Sequence, residues 1–244
     1  MEEKNLKISI AHLYPELLNL YGDMGNIITL IKRCEWRGIG VEFEQIHVGD
    51  QIKNHDLYFI GGGQDKQQED VAQELYSHKS ELTAQRDDGA VFLGICGGYQ
   101  LFGHYYQPHD KDKLVGISLM DAYTIAGNKR FIGNVTVKTD FLTPSTLVGF
   151  ENHSGLTYLE GDSKPLGIVS VGNGNNGKDG FEGGRYMNVF GTYLHGSLLP
   201  KNPHFADYLI SLALEKRYGE KITLSSLDDK LEFDTHNSLI NKAY

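Results

Sequence analysis

The chain of 244 residues carries 23 Lys and Arg against 32 Asp and Glu, a net charge of −9, with 40% apolar and 23% charged residues. That length suits one large α/β domain or two small ones, and the apolar share is that of a folded protein. The acidic balance, with no cluster of Lys and Arg to override it, sets aside nucleic-acid binding and direct contact with anionic lipid.

The start, MEEKNLKISIAHLYPELLNLYG, lacks the basic and apolar regions of a signal peptide, and no run of about 18 apolar residues is long enough to span a membrane. The two cysteines, Cys34 and Cys96, make no disulfide framework and no CxxC zinc pair. A cytoplasmic protein without a metal site is expected.

Leu6 to Ala11 (LKISIA) has strand length. In GDMGNIITLIKRCEWRG, Ile27, Leu30, Ile31 and Cys34 fall at helical spacing, and Gly38 ends the run. Val41 to Ile46 and Asp56 to Ile60 read as strands, the second running into Gly61-Gly62-Gly63. One polar helix is expected from about Gln67 to Asp87, then an apolar central strand from Ala90 to Ile95. This alternation predicts an α/β fold with a mostly parallel central sheet and helices on both faces. Ligands bind such sheets beyond the carboxyl ends of the strands, so both glycine clusters, 61–63 and 97–98, belong to one candidate crevice.

The second half adds β-strands: LVGISLMDAYTI, RFIGNVTVKT, LVGFENHSG, LGIVSVGNG and RYMNVFGTYLHG, with NGNNGKDG read as an exposed hairpin or loop. Pro203 to Arg217 predicts a last helix. A polar tail follows that packs on the domain or on a partner. With no repeat and no linker, a single domain over 1–215 and a tail over 216–244 are expected.

The strongest chemical signal is VFLGICGGYQLFG. A thiol directly after an apolar strand, among Gly94, Gly97 and Gly98, suits a sharp strand–nucleophile–helix turn. The helix start behind it favours a thiolate and leaves backbone N–H groups, Gly97 first, for an oxyanion. The competing reading of Cys96 is a small buried hydrophobe, which three flanking glycines oppose. Cys34, on an apolar helical stripe, is read as core. The base is sought in NVFGTYLHGSLLP, where His195 ends another apolar strand. His104, His109 and His204 are read as surface residues. His153, in FENHSG, is not set aside with them, and Asp23, in YGDMGN, is read as a helix cap.

Here the chain resembles the class I glutamine amidotransferases, over roughly residues 5–215. GICGGYQ matches their Cys-x-Gly-x-Gln elbow through Cys96, Gly98 and Gln100, and FIGGGQD matches the glycine loop that supplies a second oxyanion N–H from Gly62 or Gly63. GFENHSG is similar to the segment that holds the ends of glutamine, and TYLHG supplies the histidine. The resemblance implies a Cys96–His195 glutaminase with Gly62, Gly63 and Gly97 around the oxyanion. Arg130 would hold the α-carboxylate by its fork, with Gln100, Asn152 and Ser154 as further substrate contacts.

The family's His-Pro-Glu run is replaced by His195-Gly196-Ser197, as in its cobyric-acid-synthase-type branch, so the acid that orients the imidazole is missing. A partner's carboxylate is expected to complete the triad. LYGDMGNI, GNKRFIGNV, GFENHSG and TYLHGSLLP resemble the separate glutaminase subunits that serve lipid II amidation. That implies a Mur-ligase-like partner (MurT), which would carry the ATP and Mg, with no cofactor in this chain. Three alternatives stay open: service to another amide-forming synthetase, a γ-glutamyl peptidase, and a non-enzymatic binding module.

Overall fold

The computed structural model describes residues 5–240. Strands β1 (Lys7–Leu13), β2 (Gly40–Ile46), β3 (Leu57–Ile60) and β4 (Val91–Ile95) pair in parallel. β3 and β4 are buried at every position, which is why they read as unbroken apolar runs. From the far end of the chain, β12 (Val189–Thr192) adds parallel to β4, and β11 (Gly184–Tyr186) adds antiparallel to β12. The order is β11-β12-β4-β3-β1-β2. This is an α/β fold with a mostly parallel sheet. Its consequence for function is adjacency, since β12, β4 and β3 lie side by side and point the same way.

Helix α1 (Met24–Glu35) buries Ile27, Leu30, Arg33 and Cys34, a stripe at helical spacing, against β2 and α5 (Pro203–Tyr218). Arg33 is 1% exposed. Its guanidinium forks onto Asp207 of α5 and Asp229, so the charge is buried but paired on both sides. Asp229 belongs to the segment before α6 (Lys230–Ile240), which packs on β8 (Thr146–Leu159) and the Leu199–Lys201 turn. In α6, His236 bonds Thr146 and the Lys201 carbonyl. The tail expected over 216–244 therefore lies on the domain through Ile240, and residues 241–244 fall outside the described part. The same helix corrects His204, which is not a free surface residue: its ring stacks on Phe233 and accepts contact from His236.

The single helix expected over 67–87 is two, α2 (Asp65–Ser77) and α3 (Lys79–Asp87). The break falls at His78, where the Ser77 hydroxyl donates to the Glu74 carbonyl at 2.6 Å in competition with the helix ladder.

The second sheet holds β5 (Tyr105–Gln107), β6 (Leu114–Val115), β7 (Ala122–Lys138), β8 (Thr146–Leu159), β9 (Gly167–Val171) and β10 (Phe181–Glu182). The runs AYTI and RFIGNVTVKT are one long strand, β7, whose pairing with β8 slips between Ala126 and Phe131. That irregularity pushes residues 128–130 out of the ladder and into solvent. The loop over 173–180 is exposed only at its tip, because Gly174, Asn175 and Asn176 are buried. The Glu151 carboxylate accepts from the Asn173 and Gly174 amides, and the Asn175 and Asn176 side chains donate to the Gly183 and Thr157 carbonyls. Satisfied in this way, the turn has no need of water.

Candidate active site

Three neighbouring parallel strands end at one point. β3 runs into Gly61–Gly63, β4 into Cys96 and β12 toward His195. Cys96 sits between Ile95 and the first residue of α4 (Gly97–Phe102) with φ 50° and ψ −103°, a conformation side-chain-bearing residues avoid. The glycines permit the close approach behind it. A Cβ on Gly97 would stand 2.5 Å from Gln68 Nε2 and 3.1 Å from the Gly63 nitrogen. One on Gly62 would lie 3.3 Å from His195 Cε1, 3.4 Å from Cys96 Cβ and 3.5 Å from Asp23 Oδ2. The catalytic candidates therefore converge on a glycine.

Two elements fix the His195 backbone. The buried Glu182 carboxylate accepts from the Thr192 hydroxyl at 2.6 Å and the Tyr193 amide at 2.7 Å. The His195 amide then donates to the Phe150 carbonyl of β8 at 2.8 Å. The ring is 1% exposed and lies edge-on to Tyr21, centroids 4.9 Å apart. Neither ring nitrogen has a hydrogen-bond partner among the described residues, so the carboxylate missing from the His195-Gly196-Ser197 run is not supplied from elsewhere in them.

Burial sets the protonation of the pair. It pushes the Cys96 thiol up to about 12, with the Asp23 charge adding to the rise while the Gly97 N–H and Arg130 oppose it. Burial lowers His195 to about 3, helped by repulsion from Lys201, Arg130 and, when it is protonated, His153. The resting pair is thus neutral thiol and neutral imidazole. To form the ion pair, something must favour the imidazolium.

A cleft of about 700 Å³ opens above the thiol, lined by Gly63, Cys96, Gln100, Arg130, Asn152 and Ser154 among others. Arg130 stands on the extruded part of β7, and its Nε donates to Asn152 Oδ1 at 2.6 Å. Asn152 Nδ2 in turn donates to the Tyr21 hydroxyl at 2.6 Å. The terminal guanidinium nitrogens have no partner among the described residues, which leaves the fork for an anion. Ser154 lines the cleft beside them. Gln100 is engaged at both ends, accepting from Gln68 Nε2 at 2.9 Å and donating to the Tyr193 hydroxyl at 3.0 Å.

Two residues change their reading. Asp23 makes no side-chain cap on α1; the Asn19 side chain accepts from the Met24 amide instead. Asp23 Oδ2 accepts from the Gly62 amide at 2.6 Å, so within the loop it is the Gly63 N–H that is left over for an oxyanion. Tyr21, which sequence reasoning passed over, shields His195 from a strained position of its own at φ 56°. His153 stacks on Tyr193 with centroids 3.6 Å apart, inside the fold.

Residues 9–203 match the family of CobB/CobQ-like glutamine amidotransferase domains, and the chain belongs to that family. It is 41% identical over 228 residues to the GatD subunit of lipid II isoglutaminyl synthase (glutamine-hydrolyzing) from Streptococcus pneumoniae, covering 92% of this chain and 87% of the relative. To the Staphylococcus aureus GatD subunit it is 40% identical over 239 residues, 97% and 96% of the two chains. A probable cobyric acid synthase of Methanococcus maripaludis is 36% identical over 166 residues, 64% of this chain but 31% of that protein. Among solved structures, a glutamine amidotransferase from Thermotoga maritima aligns over 99% of both chains with TM-score 0.55 and 16% identity. A second glutamine amidotransferase structure aligns with TM-score 0.61 and 14% identity, over 83% of this chain and 98% of that one. These two speak to the fold alone. No helix among the described residues is long and apolar enough to cross a membrane.

Proposed function

We infer that the chain is a glutaminase subunit that hydrolyses glutamine and passes ammonia to a Mur-ligase-like partner, MurT. With its own ATP and Mg, that partner would amidate the D-glutamate of lipid II to D-isoglutamine. The observation that carries the reading is the delivery of Cys96, the glycine loop and His195 to one point by three adjacent strands. The likeness to two GatD subunits along most of their length supports lipid II as the acceptor.

In this reading Cys96 Sγ attacks the side-chain carbonyl carbon of glutamine while His195 takes the thiol proton. The oxyanion is held by the Gly97 and Gly63 N–H groups. His195 returns the proton to the departing nitrogen, ammonia leaves, and water cleaves the thioester to glutamate. Arg130 holds the α-carboxylate, with Asn152 and Ser154 beside it and Gln100 bracing the elbow.

Two buried, unpartnered imidazole nitrogens support the idea that a carboxylate of the partner completes the triad. A negative charge at His195 raises the imidazole from its depressed value and makes proton transfer from the thiol feasible. Work at the inner face of the membrane would then run through the partner, consistent with the acidic surface of this chain.

The test is glutamate release from glutamine by wild type and Cys96→Ala, with and without the ligase partner. Cys96-dependent release raised by the partner is expected. No release in either condition overturns the enzymatic reading and leaves the fold standing.

A further inference from the structure

Among the described residues, Asp23 is the one buried carboxylate at the junction of the nucleophile, the base and the glycine loop. It is fully buried. Oδ2 is committed to the Gly62 amide, and Oδ1 has no hydrogen-bond partner among the described residues. A buried carboxylate held by a single amide is costly, and the same helix start is already capped by Asn19. Capping therefore does not explain it. The neighbouring geometry does. The Leu20 amide donates to the Gly62 carbonyl at 3.1 Å, so the strap over 20–23 grips the Gly62 residue from both its N–H and its C=O. The Leu20 bond holds the Gly62–Gly63 peptide plane by its carbonyl, and the Asp23 bond holds the Gly61–Gly62 plane by its N–H. Together they fix the two torsions of Gly62 and with them the direction of the Gly63 N–H, whose nitrogen lies against the elbow at Gly97.

The geometry points to Asp23 as a positioning residue that orients the oxyanion-binding amide of Gly63 by anchoring the Gly62 N–H, without touching substrate itself. The inference rests on the glutaminase reading above. What the role requires is an acceptor at the Asp23 position; the negative charge that comes with it works against the thiolate.

The test uses the full chain with its ligase partner. Asp23→Ala is expected to lower kcat for glutamate release about 100-fold, with KM within about twofold. Asp23→Asn, whose amide oxygen still accepts from Gly62, is expected to recover most of that loss. Wild-type kcat in Asp23→Ala overturns the assignment, and so does an Asp23→Asn no better than Asp23→Ala. If Asp23→Ala does not fold, Asp23→Leu, which fills the same space without an acceptor, takes its place: a raised KM at wild-type kcat overturns the role.

A second readout needs no turnover: the pH profile of iodoacetamide alkylation at Cys96, resolved from Cys34 by mass spectrometry. The charges that reach the thiol are Asp23 and Asp65, which disfavour the thiolate, and Arg130, which favours it, with His195 across Gly62. Asp23→Asn is expected to move the profile to lower pH, and an unmoved profile overturns the juxtaposition. A shifted profile in a protein whose wild type releases no glutamate keeps Asp23 beside the thiol and removes only the glutaminase reading.

Discussion

The floor and the wall of the cleft are built by different rules. The floor takes Cys96, Gly61–Gly63 and His195 from the ends of parallel strands and Asp23 from the residue before α1; it is buried, with strained backbone at Cys96 and, among the described residues, unpartnered polar atoms on Asp23 and His195. The wall, Arg130 and Asn152 with Tyr21 laid across them, comes from the β7–β8 hairpin and a surface strap, and its polar groups are joined in a hydrogen-bonded chain at the edge of solvent. Groups that are buried and unsatisfied at rest gain most when charge develops beside them, whereas groups already satisfied gain from a ligand's fixed charge. The floor should therefore govern kcat and the wall KM.

The sharpest way to break that division is at the reacting pair. Cys96→Ala and His195→Ala are each expected to lower partner-stimulated glutamate release by about 10⁴-fold or more, with thermal unfolding close to wild type. Next comes the wall's cation. Arg130→Lys keeps the charge and loses the fork, and should raise KM for glutamine about 100-fold while kcat falls far less. A dominant kcat effect at Arg130 would mean that the wall takes part in the chemistry and that the division is wrong.

How much of this was legible follows the same line. The central strands β3 and β4 could be read because they are buried on both faces and so apolar throughout, and the elbow because only a run of glycines lets a chain turn around Cys96. The α/β fold and the glycine loop after β3 came with them. Asp23 was misread because its partner, Gly62, is 39 residues away in sequence, and a local Asp before a helix looks like a cap whatever it bonds. Tyr21 left no signal, since a half-exposed aromatic in a loop becomes meaningful only when His195 lies beneath it. The inward turn at 174–176 was hidden for a related reason: Asn and Gly are turn formers in either setting, and only Glu151, contributed by β8, makes this turn a buried one.

Smaller effects belong to the links of the wall. Asn152→Ala removes the acceptor for Arg130 Nε and the donor to Tyr21, whereas Tyr21→Phe removes only the hydroxyl. At about 1 kcal/mol for a hydrogen bond, Tyr21→Phe should raise KM about fivefold and Asn152→Ala somewhat more, with kcat nearly unchanged. Steady-state kinetics on the two single variants and the double would show whether they act through one chain. If they do, the double variant should be no worse than Asn152→Ala alone.

The last contrast is in stability, where floor and wall should respond differently to pH. Burial raises Asp23 to about 7, above its unfolded carboxyl value near 3.8, with the Gly62 N–H pulling the other way. The folded state therefore holds this proton more tightly than the unfolded state does. Its contribution is fully present below pH ~4 and is lost as pH rises through 7. Asp23→Asn, uncharged at every pH, should match wild type near pH 4 and be more stable at pH 8, by ~2 kcal/mol or roughly 5 °C in Tm. Asn152→Ala in the wall should show the same Tm difference from wild type at both pH values. If Asp23→Asn is more stable at pH 8 and turns over nearly as fast, the charge is a cost to the fold and the acceptor alone sets the site. If the difference does not change with pH, Asp23 is better solvated than its burial implies, and the floor is less preorganised than its geometry suggests.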